Sequence, residues 1–348
     1  RSVSRGLGDV YKRQISLSHG NEKLQNYFSY ANTTGHGIIG KHNLSKHNLT
    51  FRETSVLLNS RLKLDGSMNL MRQVVKNKPT VGGFYMNPLV GLYRFPRGED
   101  IAYYKENFEV YDEGRNLNIQ NWHTSYEDFE QNPYWITNRI LSKENRMHVI
   151  VSLSANLKIN DWLSLQARGN VDYINDKVRQ QFYASTAPAL AGANGRYIEM
   201  DYQETQYYGD AILMMKKQWD AFSLNAALGV SINDKTVNST RYDSKTASLK
   251  YANVFNLANI IMNGSAGLDQ KIDARRQLQS LFATAQLGYN EFVYLDLSAR
   301  NDWSSTLAYT SHEKSGFFYP SVGFSLIFNK LMTLPQWVSL AKIRGAYS

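Results

Sequence analysis

The chain reads as pairs of segments in which apolar and polar residues alternate strictly. From Val149 to Ile159 the odd positions are Val149, Val151, Leu153, Ala155, Leu157 and Ile159, and most even positions are Ser152, Ser154, Asn156 and Lys158. A period of two with one greasy and one wet face is a β-strand. After Asn160-Asp161-Trp162 the pattern restarts as Leu163, Leu165, Ala167, Gly169, Val171 and Tyr173 against Ser164, Gln166, Arg168, Asn170 and Asp172, which predicts a hairpin. The same device recurs at 207–218 with 221–233 across Trp219-Asp220, and at 277–289 with 292–302 across Asn290-Glu291. A further strand is predicted over 317–328, a last one near Val338, and an earlier short turn at Asn59-Ser60 in preference to Asp65-Gly66.

Between the hairpins lie long polar stretches at 73–146, 175–206 and 234–275, and a shorter one at 304–315. Short turns therefore fall on one rim and long loops on the other. Strands of about ten residues or more, with connections sorted in this way, predict an all-β fold: a transmembrane antiparallel up-and-down β-barrel. A soluble sandwich has strands of roughly five or six residues and no such sorting. Trp162, Trp219 and Phe292 sit at short turns, and Trp303 and Tyr309 near a long-loop end, where amphipathic rings mark lipid–water interfaces. Leucines such as Leu153, Leu228 and Leu297 are expected to face outward, and Ser152, Asn156, Arg168, Asp296 and Arg300 inward.

Composition changes the picture in three places. The mean hydropathy is -0.45 and no apolar run approaches the roughly 18 residues a membrane helix needs, so any membrane contact is through strands. There is no cysteine, which excludes a disulfide framework and thiolate chemistry. The net charge of +9 is dispersed along the chain and forms no basic stripe, so no nucleic-acid partner is expected. The segment Arg1 to Gln14, with Arg1, Arg5, Lys12 and Arg13, shows no alternation and no signal-peptide core. It is read as a non-native or artefactual segment, with strand-like pattern beginning at Ile15.

The stretch Val293-Tyr294-Leu295-Asp296-Leu297-Ser298-Ala299-Arg300-Asn301-Asp302-Trp303-Ser304-Ser305-Thr306-Leu307, followed by Phe317-Phe318-Tyr319-Pro320-Ser321-Val322-Gly323, closely resembles the barrel of the SusC/RagA family of TonB-dependent outer-membrane transporters of Bacteroidetes. Asn132-Pro133-Tyr134-Trp135, Gly35 to Gly40 and Leu340 to Arg344 fit the same pattern, so the resemblance covers residues 15–348. It implies a barrel of about 22 strands, of which about a dozen are present here. It also implies an N-terminal plug and TonB box, coupling to the TonB–ExbB–ExbD complex, a SusD-like surface lipoprotein, an outer-membrane location, and import of glycan oligosaccharides or peptides without a cofactor. Plug, TonB box and C-terminal strands are not recognisable in the sequence, so residues 15–348 are expected to be an internal barrel piece that does not fold alone, since open edges in lipid cost several kcal/mol per unpaired group. Arg300, Asn301, Asp302, Trp303, Tyr319 and Pro320 carry the family motif and are expected to be structural.

Two other functional classes remain beside active import: a passive outer-membrane porin and a surface-binding β-protein. Enzymatic chemistry is not indicated. His36, His42 and His47 fall in what reads as one loop, without a cysteine and with Glu53 as the nearest acid, so no metal is assigned. Candidate substrate or partner contacts are Trp122, Tyr126, Tyr134 and Trp135 in the longest loop, and Arg168 and Arg300 on the inward face. Rings beside planar donors suit a sugar face or a protein partner. Each of these residues also has a plain structural reading, as loop packing or as charge neutralisation inside the barrel.

Overall fold

The computed structural model describes residues 7–80, 82, 86–124, 130–245, 249–262, 267–313, 315–332, 334–335 and 337–348. Its strands are β1 (Leu7–Gly20), β2 (Leu24–Gly37), β3 (Asn43–Leu57), β4 (Leu62–Lys76), β5 (Glu109–Asp112), β6 (Leu117–Gln120), β7 (Ile140–Lys158), β8 (Leu163–Phe182), β9 (Arg196–Trp219), β10 (Phe222–Asp243), β11 (Gly267–Tyr289), β12 (Val293–Ser304), β13 (Phe317–Ile327) and β14 (Lys342–Tyr347). All but β5 and β6 form one 12-stranded sheet whose spatial order follows the chain, β1-β2-β3-β4-β7-β8-β9-β10-β11-β12-β13-β14, with every pair antiparallel. This is a partial up-and-down barrel. Among the described residues no helix is long and apolar enough to cross a membrane. The short helices α1 (Pro88–Arg94), α2 (Ile101–Glu106) and α3 (Pro133–Arg139) sit with the β5–β6 hairpin in the connection between β4 and β7.

All seven strands expected from the alternation are present, and all belong to this sheet. The early turn falls at Leu58 to Arg61, where Leu58, Asn59 and Ser60 take positive φ and Arg61 N–H donates to the Leu58 carbonyl at 3.1 Å. Asp65 and Gly66 lie inside β4. Four expectations need correction. β1 begins at Leu7 and pairs with β2 through Gln14 and Ile15 without a break, so the strand starts well before Ile15. His36 and His47 lie on β2 and β3, with His42 in the turn between them, so the three histidines do not share a loop. The last strand starts at Lys342 instead of Val338. The stretches read as long loops begin and end in strand, and 175–206 is mostly strand, because β7 to β11 run 19 to 24 residues and reach far beyond a bilayer.

The two rims also depart from a strict short and long division. The β2–β3 connection on the long-loop side is only Ile38 to His42, and the β13–β14 connection on the other side spans 328–341. That second connection is closed by Asn329, whose side chain donates to the Ser339 carbonyl at 2.9 Å and accepts from Ala341 N–H at 2.6 Å.

The facing follows the barrel rule, with apolar side chains turned away from the axis. Leu153 is 59% exposed, and Val151, Leu228, Leu297 and Phe324 are also exposed, while Leu165, Val171, Leu224 and Leu295 are half-buried by their sheet neighbours. None is covered by a second protein layer. On β10 the outward band runs Phe222, Leu224, Ala226, Leu228, Val230, Ile232 and ends at Asp234. Ten residue steps make about 33 Å of strand and, at a tilt near 40°, roughly the 25 Å height of an outer-membrane apolar band. Where the band stops, ion pairs begin on the same face: Arg275 with Asp234, Arg179 with Glu199 at 3.2 Å, and Lys177 with Asp201 at 3.3 Å.

Leu297 lies mid-way along the outward face of β12, so Leu297→Arg in the full-length protein should destabilise the barrel by about 2–4 kcal/mol, whereas arginine near Trp303 at the rim should cost about 0–1 kcal/mol. Reversible unfolding in lipid vesicles measures both. Equal costs at the two positions would be incompatible with a lipid-facing band.

Candidate functional site

The inward face carries a continuous polar rung. Successive ladder partners are Thr54, Asp65, Ser154, Arg168, Asp210, Ser231, Ser280 and Asp302, one from each strand from β3 to β12. Each carboxylate on the rung has a cation. Arg52 lies 2.6 Å from Asp65, which also accepts from the Thr54 hydroxyl at 2.8 Å. Arg168 donates from Nε and Nη2 to Asp210, the shorter contact being 2.7 Å, and the Tyr208 hydroxyl donates to the same carboxylate at 2.6 Å. Arg300 donates to Asp302 at 2.8 Å and to Ser280 Oγ at 2.8 Å. The serines between these pairs keep the wall low, so the long arginine side chains can lie across it. The Asp210 side chain is fully enclosed, while Arg168 keeps 47% of its surface open to the lumen.

Arg300 is positioned from a second direction. Phe282 on β11 is its ladder partner, and the guanidinium sits 5.6 Å from that ring's centroid. The ring lies flat over Gly229 of β10, where a Cβ would come within 2.3 Å of a Phe282 ring carbon. Only glycine leaves room for this aromatic cover over a strand glycine. Tyr319 pairs with Arg300 from β13, and Pro320 pairs with Ala299 on the outward side. Within the Arg300-Asn301-Asp302-Trp303 motif, alternation turns Arg300 and Asp302 into the lumen and Asn301 and Trp303 outward. Trp303 is exposed at the long-loop end of the apolar face, as an interfacial girdle residue should be.

Above the lumen the long connections knit into one cap. Asn132 is its hub. As the N-cap of α3 it accepts from Tyr134 N–H at 2.8 Å, and its side-chain amide donates to the carbonyls of Tyr104 at 2.9 Å and Asn121 at 2.8 Å. Its own N–H donates to Gln120 Oε1 at 2.7 Å. Pro133 then opens α3 at a position where no helical N–H is needed. Trp135, 1% exposed, donates from Nε1 to Thr186 Oγ1 at 3.1 Å and so ties this connection to the β8–β9 loop. Ala184 N–H reaches Asn253 Oδ1 at 2.7 Å, which brings in the β10–β11 loop. Arg139 at the end of α3 donates to both Glu109 oxygens, at 2.5 and 2.6 Å, and lies over the rings of Phe108 and Tyr183. Hydrogen bonding to Glu109 holds this guanidinium above its ordinary pKa against the burial that lowers it.

The cap also contains a recess of about 270 Å³ lined in part by Gln120, Trp122, Thr124 and Glu130. Phe95, Tyr104 and His123 pack around the Trp122 ring with centroids 4.8 to 5.3 Å away, and its enclosed Nε1 has no hydrogen-bond partner among the described residues. Glu130, almost fully enclosed, faces His123 at 3.1 Å and Arg94 at 3.2 Å.

The expected site residues therefore separate. Arg168 and Arg300 share the lumen wall, and Trp122 borders the cap recess. Tyr134 is half-buried beside Asn132. Trp135 is a correction: its ring is enclosed by the cap and offers no face to a ligand. Tyr126 lies outside the described residues. The sequence reading missed Asp210, Tyr208, Gly229 and Phe282, which lie on strands far from their partners in sequence. It also missed the three cap helices, although Asn87-Pro88 and Asn132-Pro133 carry N-cap and N1 signals that could have found two of them.

No family model matches the chain, and no curated protein matches it. Among solved structures it is similar to the RagAB peptide transporter, with a TM-score of 0.72 at 17% identity over 97% of this chain and 36% of that one. It is also similar to the RagAB peptide importer in its "open-open" state, with a TM-score of 0.66 at 16% identity over 96% of this chain and 36% of that one. The P. aeruginosa FpvA complex with heterologous pyoverdines matches with a TM-score of 0.56 at 12% identity, over 91% of this chain and 38% of that one. The chain spans little more than a third of the length of these structures, and it has the fold of their barrel walls.

Removing Arg168 while keeping Asp210 leaves an enclosed carboxylate with Tyr208 as its remaining side-chain partner. Arg168→Met in the full-length protein should cost about 2–3 kcal/mol in vesicle unfolding, and adding Asp210→Asn should recover a large part of it. Additive losses would mean that the two do not act as a pair. Trp303→Ala should lower the amount of folded barrel in the outer membrane, read by heat-modifiable mobility, without changing cargo preference. Normal abundance with altered preference would make Trp303 a binding residue.

Proposed function

We propose that this chain forms part of the barrel wall and surface cap of an outer-membrane active importer of the SusC type, coupled to TonB and working with a SusD-like surface lipoprotein. The carrying observation is the division of labour in one continuous sheet: lipid-facing apolar side chains, an internally neutralised lumen, and three long loops organised over one rim. The fold shared with the RagAB peptide transporter supports the reading, as does the motif from Arg300 to Gly323. The lumen wall is held by paired charges and hydroxyls, which suits passage of polar cargo.

The cargo is a glycan oligosaccharide or a peptide. Trp122, whose indole N–H has no partner among the described residues, Tyr134, and the exposed flanks of Arg168 and Arg300 are the contacts we assign to cargo or to the lipoprotein, with Tyr126 proposed on sequence grounds alone. Planar rings and guanidinium edges suit both sugar faces and peptide amides.

Uptake of the cognate nutrient should fall to background when TonB is deleted in cells making the full-length protein, which a passive porin would not show. Replacing 122–135 with a flexible linker removes Asn132 and Trp135, and should abolish lid docking or cargo capture while folded-barrel abundance stays near normal. Uptake that survives loss of TonB would refute the importer reading. Loss of the barrel on linker replacement would show that the cap is needed for assembly.

A further inference from the structure

At the short-turn rim the outward face carries a cation that the protein leaves without a counter-charge. Lys217 is the last outward residue but one on β9, paired with outward Leu224, and its Nζ lies 5.3 Å from the Trp162 ring centroid and 5.4 Å from that of Trp219. The ammonium is thus held by two indoles at the lower edge of the apolar band. Among the described residues no carboxylate pairs with it, and neither indole N–H has a hydrogen-bond partner. Of the charges nearby in sequence, Asp161 is taken by Lys158 at 2.8 Å, Lys216 is turned to the opposite face by alternation, and Asp220 in the β9–β10 turn forms no ion pair with Lys217.

The apolar positions above this point, Leu163, Leu165 and Leu213, belong to the lipid-facing band. The rim below is water. A lysine and two tryptophans in this position occupy the headgroup layer, with the lysine stem lying along apolar surface and its charge turned toward the interface. The ammonium is held there at a depth where the abundant anion is a lipid phosphate.

We propose that Lys217, Trp162 and Trp219 form a binding site for one glycerophospholipid of the periplasmic leaflet. The phosphate diester is held by the ammonium that the two rings position, and the acyl chains run up the Leu163–Leu165–Leu213 face. The two rings fix the ammonium in place, which distinguishes this site from a freely moving interfacial lysine. Charge complementarity carries the choice of occupant: a diglyceride offers no anion, and a free phosphate ion offers no chains for the leucine face.

The test is native mass spectrometry of the full-length protein in detergent, titrated with phosphatidylglycerol, phosphatidylethanolamine, diacylglycerol or inorganic phosphate. Wild type should show one saturable phospholipid, weakened about fivefold by Lys217→Gln and retained by Lys217→Arg. Diacylglycerol should not bind at that site, and inorganic phosphate should not displace the lipid. Equal phospholipid binding by wild type and Lys217→Gln would overturn the proposal, and so would displacement by inorganic phosphate or equal binding of diacylglycerol. Should Lys217→Gln fail to assemble, Trp162→Leu with Trp219→Leu keeps the apolar surface, frees the ammonium from both rings, and should weaken binding severalfold. Unchanged binding in that variant would equally overturn it.

Discussion

The rest of the structure depends on pairing every backbone N–H and C=O in the part of the chain that lies in lipid. No water is available there, and each unpaired group costs several kcal/mol. The chain meets the demand with a meander in which each strand lies between its sequence neighbours, and long ladders run residue by residue from β1 to β13. Once the ladders are fixed, facing is fixed too, because a one-residue slip would turn every outward leucine into the lumen. The close register also explains why partners far apart in sequence, such as Arg168 and Asp210, meet with good geometry.

Within the bilayer the usual rule of burial is inverted. Every buried apolar side chain among the described residues, from Trp135 to Ile260, lies in the cap or at the strand tips beneath it. In the lipid-spanning part the buried side chains are polar: Ser29, Asp210, Ser280 and Ser325, on the inward face. Lipid removes the leucines from water there, so the protein needs no core of its own at that depth. Above the band water returns on both sides, and the chain must build a small conventional core from Phe182, Ala191 and Ile198, and another from Tyr197, Leu249 and Ile260.

This change of solvent explains what could be read in the sequence and what could not. Alternation is legible where one face meets lipid and the other the lumen, which is why Val149 to Tyr173 and Phe222 to Ile232 show their strands plainly. Above Asp234 both faces of β10 are wet, so Lys235, Thr236, Asn238 and Thr240 continue the strand with no apolar signal. The same reason hid the upper halves of β7, β8, β9 and β11. The Arg300 to Gly323 motif was legible as sequence, but its physical content was not. Gly229 and Phe282 position Arg300 through the ladder, and ladder register is invisible before the strands are paired. Trp135 was misjudged because an aromatic residue in a loop looks the same whether it faces cargo or anchors α3 against Thr186.

The cap shows how a loop region can be ordered with little apolar material. Asn132, Gln120, Asn194 and Asn253 spend their side-chain amides on backbone groups of other segments, as β-strands would, but without a ladder. Each such bond contributes only about 1 kcal/mol net, so order comes from many of them acting together around the enclosed Trp135 and Leu249. The barrel wall below takes its stability from a different source, the ladder and the lipid. A cap ordered by side-chain amides can rearrange by exchanging those bonds with water while no strand pair is broken. That separation of energetic sources lets one continuous chain combine a rigid wall with a surface able to change.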